Sequence, residues 1–219
     1  MINYKCLVLD HDDTIFDSTR TVHYPAFIET LTALRPDKKD LSFDEFIEMC
    51  HTHGFEKICD DIYHFDDQEL KIEYDIWKTY TKNTIPEPYD GIVEILKKYV
   101  VLGGKIVVVS HSESSEIKRD YLTHFGFEPD LVFGWELGSD QRKPNAYPLL
   151  KTFELLNLKP EDCLVLDDMR LGKEMADTLN VDFVCAAWAH RNERIHNDMK
   201  KSSPVYLENV EDLVKIIFR

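Results

Sequence analysis

The sequence predicts an α/β protein built on a doubly wound parallel sheet, and two observations lead to that fold class. Short apolar runs at 5–10, 105–110, 130–135, 163–168 and 182–188 are nearly continuous, as in strands that are buried on both faces of a parallel sheet. Helix-like segments separate these runs. The alternation of strand and helix is typical of a doubly wound domain.

Helical periodicity recurs between and after the predicted strands. The clearest apolar stripe lies in 91–100, and Gly126 supplies a plausible C-terminal cap for the helix after it. The predicted helices span 91–100, 114–126, 145–157, 171–180 and 209–218. With the strands they predict a Rossmann-like core made of residues 1–17 and 89–219.

The segment 18–88 interrupts this pattern, because it contains no clear strand. Helix-like stretches occupy 18–34, 42–51 and about 66–82, and Ser42 with Glu45 forms a capping-box pattern at the start of the second. The stretch TIPEPYDG then supplies two prolines and a glycine, as a linker does. We therefore expect an all-helical insertion between the first strand and the rest of the core.

Composition and charge narrow the possible partners. The 219 residues suit one domain with a sizeable insertion, and 26 basic against 41 acidic side chains give a net charge of −15. That field repels nucleic acid and anionic lipid, but it allows a small phosphorylated molecule if a cation offsets the repulsion. We expect a cytoplasmic monomer or small homo-oligomer, since no apolar run approaches the ~20 residues of a membrane span and no signal pattern is evident.

Five cysteines are present, an odd number without a CxxC pair, so the sequence indicates neither a disulfide framework nor a zinc site.

Polar residues end the predicted strands, where ligands of open α/β sheets bind. The first run ends at Asp10, the second at Ser110 and the third at Asp167 and Asp168, while Lys143 lies in a polar loop between the last two. Carboxylates bind Mg²⁺, which would neutralise the acids and admit a phosphate, and a hydroxyl and an ammonium add phosphate donors. The set predicts phosphoryl chemistry with an aspartate as nucleophile.

Four motifs stand at these strand ends and in the loop between them: DHDDT at 10–14, Ser110, Lys143 within KPNAYP, and LDDMRLG at 166–172. They resemble the four motifs of the haloacid dehalogenase superfamily in its phosphatase branch. The resemblance covers residues 4 to about 188. It implies a helical C1-type cap at 18–88, as in members similar to phosphoglycolate phosphatase and beta-phosphoglucomutase, which act on small soluble metabolites.

The resemblance also implies a role for each acidic residue. Asp10 would be the nucleophile and a metal ligand. Asp12 would bind the metal through its backbone carbonyl, while its side chain protonates the leaving alcohol and then activates water. Asp168 would complete the Mg²⁺ site, and Asp167 would bind the ion directly or through water.

The phosphate-binding residues implied by the resemblance are Ser110, Lys143 and the backbone N–H groups after the first two strands, at His11 and His111. Thr14 would brace the turn. The two histidines depart from the family pattern, which has an apolar residue after the nucleophile and often asparagine after the hydroxyl. We hypothesise that the two imidazoles approach each other and add pH-sensitive charge or contact the leaving group. The alternative is that each only bonds nearby backbone.

Three other functions remain open on the sequence. A phosphomutase acting on a hexose phosphate would have the same core motifs. A hydrolytic dehalogenase also uses an aspartate nucleophile, but Asp12 argues against it, because that branch typically lacks the second aspartate. A non-enzymatic binding module would not need all of the catalytic residues.

Overall fold

A computed structural model describes residues 1–38, 41–189 and 191–219. The chain forms two compact units. The first contains Met1–Asp17 and Pro88–Arg219, and the second contains Ser18–Glu87.

The first unit contains a parallel sheet of six strands among the described residues, in the order β3-β2-β1-β4-β5-β6. The strands are β1 (Cys6–Leu9), β2 (Lys105–Val109), β3 (Leu131–Phe133), β4 (Cys163–Asp167), β5 (Asp182–Ala186) and β6 (Val205–Leu207). The predicted doubly wound parallel fold is therefore confirmed. Every residue of β1 and β4 is buried, which explains why these strands are continuous apolar runs.

Helices flank the sheet in the first unit and make up the second. They are α1 (Tyr24–Leu34), α2 (Phe43–His53), α3 (Phe55–Lys57), α4 (Asp67–Asn83), α5 (Ile92–Val101), α6 (Ser114–Phe125), α7 (Tyr147–Leu156), α8 (Arg170–Thr178), α9 (Glu193–Ser202) and α10 (Leu213–Ile217). Short turns of other helix types lie at Thr19–His23, Ile58–Ile62, Pro160–Asp162 and Val210–Asp212. No helix in the described part of the chain is both long and apolar enough to cross a membrane.

The helical unit has its own aromatic core. Phe27 of α1 is buried, and its ring centroid lies 5.4 Å from Phe46, 5.4 Å from Phe55 and 5.5 Å from Tyr63. The predicted capping box at the start of α2 is present, and a second box begins α4. Packing and capping together fix this unit without any strand among its described residues.

The strand order places a crevice at one edge of the sheet. From β1 the chain moves outward to β2 and β3, and then returns to the other side of β1 for β4. Crossovers therefore leave the carboxyl ends of β1 and β4 in opposite directions, which opens a ligand site between them. Asp10 follows β1, and Asp167 is the last residue of β4.

Candidate active site

A tight turn follows β1 and presents Asp10 at the strand end. The Asp10 N–H donates to the Leu166 carbonyl of β4 at 2.9 Å, and the N–H groups of Ile15 and Phe16 both donate to the His11 carbonyl at 3.1 Å. Asp13 has φ 58°, a left-handed conformation that aspartate tolerates better than most residues. Backbone hydrogen bonds thus hold this turn both to β4 and within itself.

Three carboxylates meet at the strand ends. One oxygen each of Asp10, Asp167 and Asp168 lies within 4.8 Å of the others, and all three residues are buried. Gly172 of α8 allows this approach, because a Cβ at that position would collide with the Asp167 carboxylate. The Met169 N–H donates to Asp167 Oδ1 at 2.8 Å and fixes that side chain.

Lys143 is the cation that touches this cluster. Its Nζ lies 2.6 Å from Asp10 Oδ1 and 2.7 Å from Asp167 Oδ2, and its side chain is 7% exposed. Burial opposes the charged form, but the two carboxylates outweigh it and raise the pKa of Lys143. The ammonium is therefore charged throughout the physiological range and joins the ends of β1 and β4.

The acids outnumber this cation by three to one. Burial raises the pKa of Asp10 well above its ordinary value, and the nearby carboxylates of Asp167, Asp168 and Asp12 raise it further against the effect of Lys143. Burial and the neighbouring acids Asp167 and Asp13 raise the pKa of Asp168 in the same way. Buried, crowded oxygen ligands with excess negative charge fit a hard divalent cation such as Mg²⁺.

Two hydroxyl groups hold the side chain of Asp12. Ser110 Oγ donates to Asp12 Oδ2 at 2.9 Å, and Ser112 Oγ donates to the same oxygen at 2.8 Å. The Ser112 N–H donates to Ser110 Oγ at 2.9 Å. The side chain of Asp12 is thus bonded to hydroxyl groups beyond the end of β2. Among the residues that the structure describes, the carboxylate cluster consists of Asp10, Asp167 and Asp168.

Thr14 is fully buried beneath the site. Its hydroxyl donates to Asp168 Oδ1 at 3.4 Å, and its carbonyl accepts a bond of 3.1 Å from the indole N–H of Trp188. These contacts tie the turn after β1 to Asp168 and to the segment after β5.

The imidazole of His11 packs among helix α6 side chains. Its Nε2 lies 3.2 Å from Asp120 Oδ2, and its ring centroid lies 4.6 Å from that of Phe16 and 6.2 Å from that of Tyr121. The other oxygen of Asp120 accepts a bond of 2.7 Å from Arg119 Nε. The buried carboxylate of Asp120 thus gives the buried imidazole of His11 a polar partner.

The imidazole of His111 has different partners. Its Nε2 lies 3.2 Å from the Lys143 carbonyl, an acceptor, so this nitrogen carries the proton. Burial, and then the charge of Lys143, lower the pKa of His111 to about 4. This shift favours the neutral imidazole of His111 in the protein without substrate. The hypothesis that the two histidines add pH-sensitive charge stays a prediction.

The structure brings most of the sequence-predicted residues together and adds three that the sequence analysis missed. Asp10, Lys143, Asp167 and Asp168 form one contact network, Asp12 joins Ser110, and the described contacts of His11 and His111 run to different partners. The missed residues are Ser112, Asp120 and Trp188. Asp120 had a detectable signal, because it shares the helical stripe of Ile117, Tyr121 and His124 and so falls on a buried face.

The chain is similar to known proteins in sequence and in fold. The profile of the family described as haloacid dehalogenase-like hydrolase matches residues 7–186. A phosphoglycolate phosphatase of Aquifex aeolicus (strain VF5) is 25% identical over 194 residues, which cover 85% of this chain and 86% of that protein.

Solved structures share the fold across nearly the whole chain. A protein described as a predicted phosphoglycolate phosphatase from Haemophilus somnus 129pt superposes with a TM-score of 0.77 at 16% identity, covering 99% of both chains. A mutant of CbbY from Rhodobacter sphaeroides, in complex with xylulose-(1,5)bisphosphate, superposes with a TM-score of 0.72 at 16% identity over 94% of both chains.

Proposed function

Because the chain belongs to the haloacid dehalogenase-like hydrolases, we propose that it is a Mg²⁺-dependent phosphatase that acts on a small phosphorylated metabolite through an aspartyl-phosphate intermediate. One observation carries the proposal: a buried cluster of Asp10, Asp167 and Asp168 meets Lys143 at the ends of β1 and β4. The cluster would supply a nucleophile and a cation site, and the positive charge of Lys143 lies within hydrogen-bonding distance of Asp10 and Asp167.

Asp10, Asp167, Asp168 and the backbone carbonyl of Asp12 would hold the ion. When bound, it supplies positive charge that opposes the pKa-raising effect of the crowded acids and offsets the charge of the phosphate. The protein residues carry out the remaining chemistry.

In the first step, the Asp10 carboxylate attacks phosphorus and the bond from phosphorus to the ester oxygen breaks. The proton of the Asp12 carboxyl moves to the leaving oxygen, so that an alcohol departs and the phosphoryl group remains on Asp10. Lys143 orients Asp10 through its bond of 2.6 Å. Lys143, the Ser110 hydroxyl and the backbone N–H groups of His11 and His111 would bind the phosphate oxygens.

In the second step, water attacks phosphorus and the bond to Asp10 breaks. The Asp12 carboxylate, which lost its proton in the first step, takes one from the water, so both residues return to their starting forms. The products are an alcohol and inorganic phosphate.

We assign substrate choice to the predicted cap, residues 18–88, on the resemblance to capped members of the family. The similarity to the phosphoglycolate phosphatase of Aquifex aeolicus supports phosphoglycolate as the first substrate to test. The neighbour that binds xylulose-(1,5)bisphosphate supports sugar phosphates as the second group. A phosphomutase would use the same first step, but it would return the phosphoryl group to another hydroxyl instead of to water.

The proposal is tested by phosphate release from p-nitrophenyl phosphate, phosphoglycolate and a panel of sugar phosphates, with Mg²⁺ and with a chelator. We expect turnover that requires Mg²⁺, and a loss of roughly 10³-fold or more in Asp10→Asn. Asp162→Asn is the matched control. The side chain of Asp162 pairs with Lys5 at 2.9 Å, and the residue lies just before β4, at the opposite end of the strand from Asp167. The variant should therefore keep the wild-type rate.

Other outcomes would favour the alternatives. Halide release from a haloacid without metal would indicate a dehalogenase. Conversion of one sugar phosphate isomer into another would indicate a phosphomutase. No turnover of any phosphoester in the presence of Mg²⁺ would indicate a binding module.

A further inference from the structure

We propose that Ser112 is a positioning residue for the general acid and base, Asp12. This inference rests on the proposed function, because it concerns the side chain that would protonate the leaving group. Ser112 lies just beyond the end of β2 and is 5% exposed. A serine buried in this position has its hydroxyl committed to a protein partner, and that partner is Asp12.

The geometry links Ser112 to Asp12 by two routes. The Ser112 hydroxyl donates directly to Asp12 Oδ2 at 2.8 Å. The Ser112 N–H donates to Ser110 Oγ at 2.9 Å, so the hydrogen of that hydroxyl points to the same Oδ2, at 2.9 Å. One residue therefore orients Asp12 with its own hydroxyl and also orients the second hydroxyl that bonds Asp12.

The two donors on Oδ2 fix the orientation of the carboxyl group. An oxygen that accepts two O–H bonds is a poor site for a further proton, so the proton of the neutral Asp12 carboxyl resides on Oδ1. The acid consequently presents its proton in one direction. General acid catalysis depends on such placement, because a displacement of about 1 Å can cost about 100-fold in rate.

The need for a second hydroxyl follows from the tasks of Ser110. Its single hydroxyl hydrogen cannot be donated to Asp12 and to a phosphate oxygen at the same time. When Ser110 binds the phosphate, Ser112 remains as the hydroxyl donor to Asp12. Ser112 would thus keep the acid oriented in the substrate complex, where its orientation matters for the reaction.

The test compares two substrates that differ in their need for a proton. p-Nitrophenolate is a good leaving group that departs without protonation, whereas phenolate benefits from an acid. In Ser112→Ala we expect kcat/KM for phenyl phosphate to fall about 10-fold or more, and that for p-nitrophenyl phosphate to change by less than about threefold. The parameter kcat/KM is used because it reports the step in which the leaving group departs.

Two further variants make the test specific. Ser112→Thr keeps the hydroxyl and should restore most of the phenyl phosphate activity. Ser114→Ala is the matched control, because that hydroxyl donates to Glu136 at 3.0 Å and its loss should leave the ratio of the two substrates unchanged. If Ser112→Ala does not fold, Ser112→Cys carries the same test with a side chain of similar size and a weak donor.

The outcomes separate this inference from the proposed function. If the wild-type protein hydrolyses neither these two substrates nor any other phosphoester in the presence of Mg²⁺, the proposed function is wrong. If the wild-type protein hydrolyses both, and loss of the Ser112 hydroxyl lowers both equally or lowers neither, the phosphatase assignment stands and the positioning role of Ser112 is wrong.

Discussion

Each of the two units holds a cationic side chain against carboxylate groups, but the charge balance differs. In the helical unit, the guanidinium of Arg35 forms a two-pronged pair with Glu69, at 2.5 and 2.8 Å, and also donates to the Tyr63 carbonyl at 2.9 Å. In the α/β unit, Lys143 forms ion pairs with the carboxylates of Asp10 and Asp167, and a third carboxylate, that of Asp168, lies in the same cluster.

Burial differs as well. The side chains of Arg35 and Glu69 are 21% and 23% exposed, whereas those of Lys143, Asp10 and Asp167 are between 2% and 7% exposed. A matched pair with partial access to water stabilises a fold modestly. A deeply buried cluster with surplus negative charge destabilises the folded state unless a further cation binds. Such an imbalance is therefore the mark of a functional site, and the following predictions test it.

The largest effect is expected from Lys143→Met, which leaves the buried acids without their ammonium. We expect loss of activity by roughly 10³-fold or more. When a chelator has removed divalent metal, we expect the free energy of unfolding to be about 3–5 kcal/mol lower than in the wild-type protein, because a buried ion pair is broken. Thermal melts and phosphate release measure the two effects.

Lys105→Met is the control for that variant. Lys105 pairs with Asp130 at 2.8 Å, but its side chain is 52% exposed, so this substitution should alter neither property by much. If the two variants behaved alike, the contrast between buried and exposed pairs would lose its support.

A second effect should appear when Mg²⁺ is added without substrate. Mg²⁺ at 100 times its dissociation constant should stabilise the wild-type protein by about 2.7 kcal/mol, because the ion binds only to the folded site. Asp168→Asn removes one of the acids, so its melting temperature should respond much less to Mg²⁺. Asp162→Asn should respond as the wild-type protein does. An equal response in Asp168→Asn would place the ion away from the carboxylate cluster.

The comparison also explains what the sequence could predict. The acidic residues of the cluster were predictable because Asp10 follows β1 directly, Asp167 ends β4 and Asp168 comes next. The contact between Ser112 and Asp12 was not predictable, because the two residues are 100 positions apart in the sequence and no local pattern links them.

The missed elements have similar reasons. The edge strand β6 has only three residues, all half-buried, so it leaves little hydrophobic signal. In α9 only Ile195 and Met199 are buried, and charged residues dominate the rest of the helix. Sequence analysis therefore predicted those residues whose apolar or charged character differs clearly from that of the residues next to them in the sequence.

The smallest effects are expected from two carboxyl groups one helical turn apart on α4. Hydrogen bonds from Arg35, and then from the Asp66 backbone, lower the pKa of Glu69 from 4.5 to about 2. Burial raises the pKa of Glu73 from 4.5 to about 7, although His23 opposes that shift. The two residues should therefore give opposite pH dependence of stability.

For Glu69, the lowered pKa means that the ionised carboxylate stabilises the folded protein. This contribution to the free energy of unfolding is present above pH 4.5 and is lost as the pH falls towards 2. Glu69→Gln should lower the melting temperature slightly at pH 7, and the difference from the wild-type protein should shrink as the solution is acidified. Added salt should also reduce the difference, because the pair is partly exposed to solvent.

For Glu73, the raised pKa means that the folded protein holds the protonated carboxyl group more tightly than the unfolded chain does. Its contribution to the free energy of unfolding is therefore present below pH 4.5 and is lost as the pH rises through about 7. Glu73→Gln should leave stability unchanged near pH 4 and raise it by up to about 2 kcal/mol at pH 8, because the amide needs no charge in a desolvated position. Melts of both variants across this pH range, with activity measured alongside, provide the check. If Glu73→Gln destabilised the protein at pH 8, Glu73 would be an ionised partner of a cation in the helical unit, and the rise in its pKa by burial would be wrong.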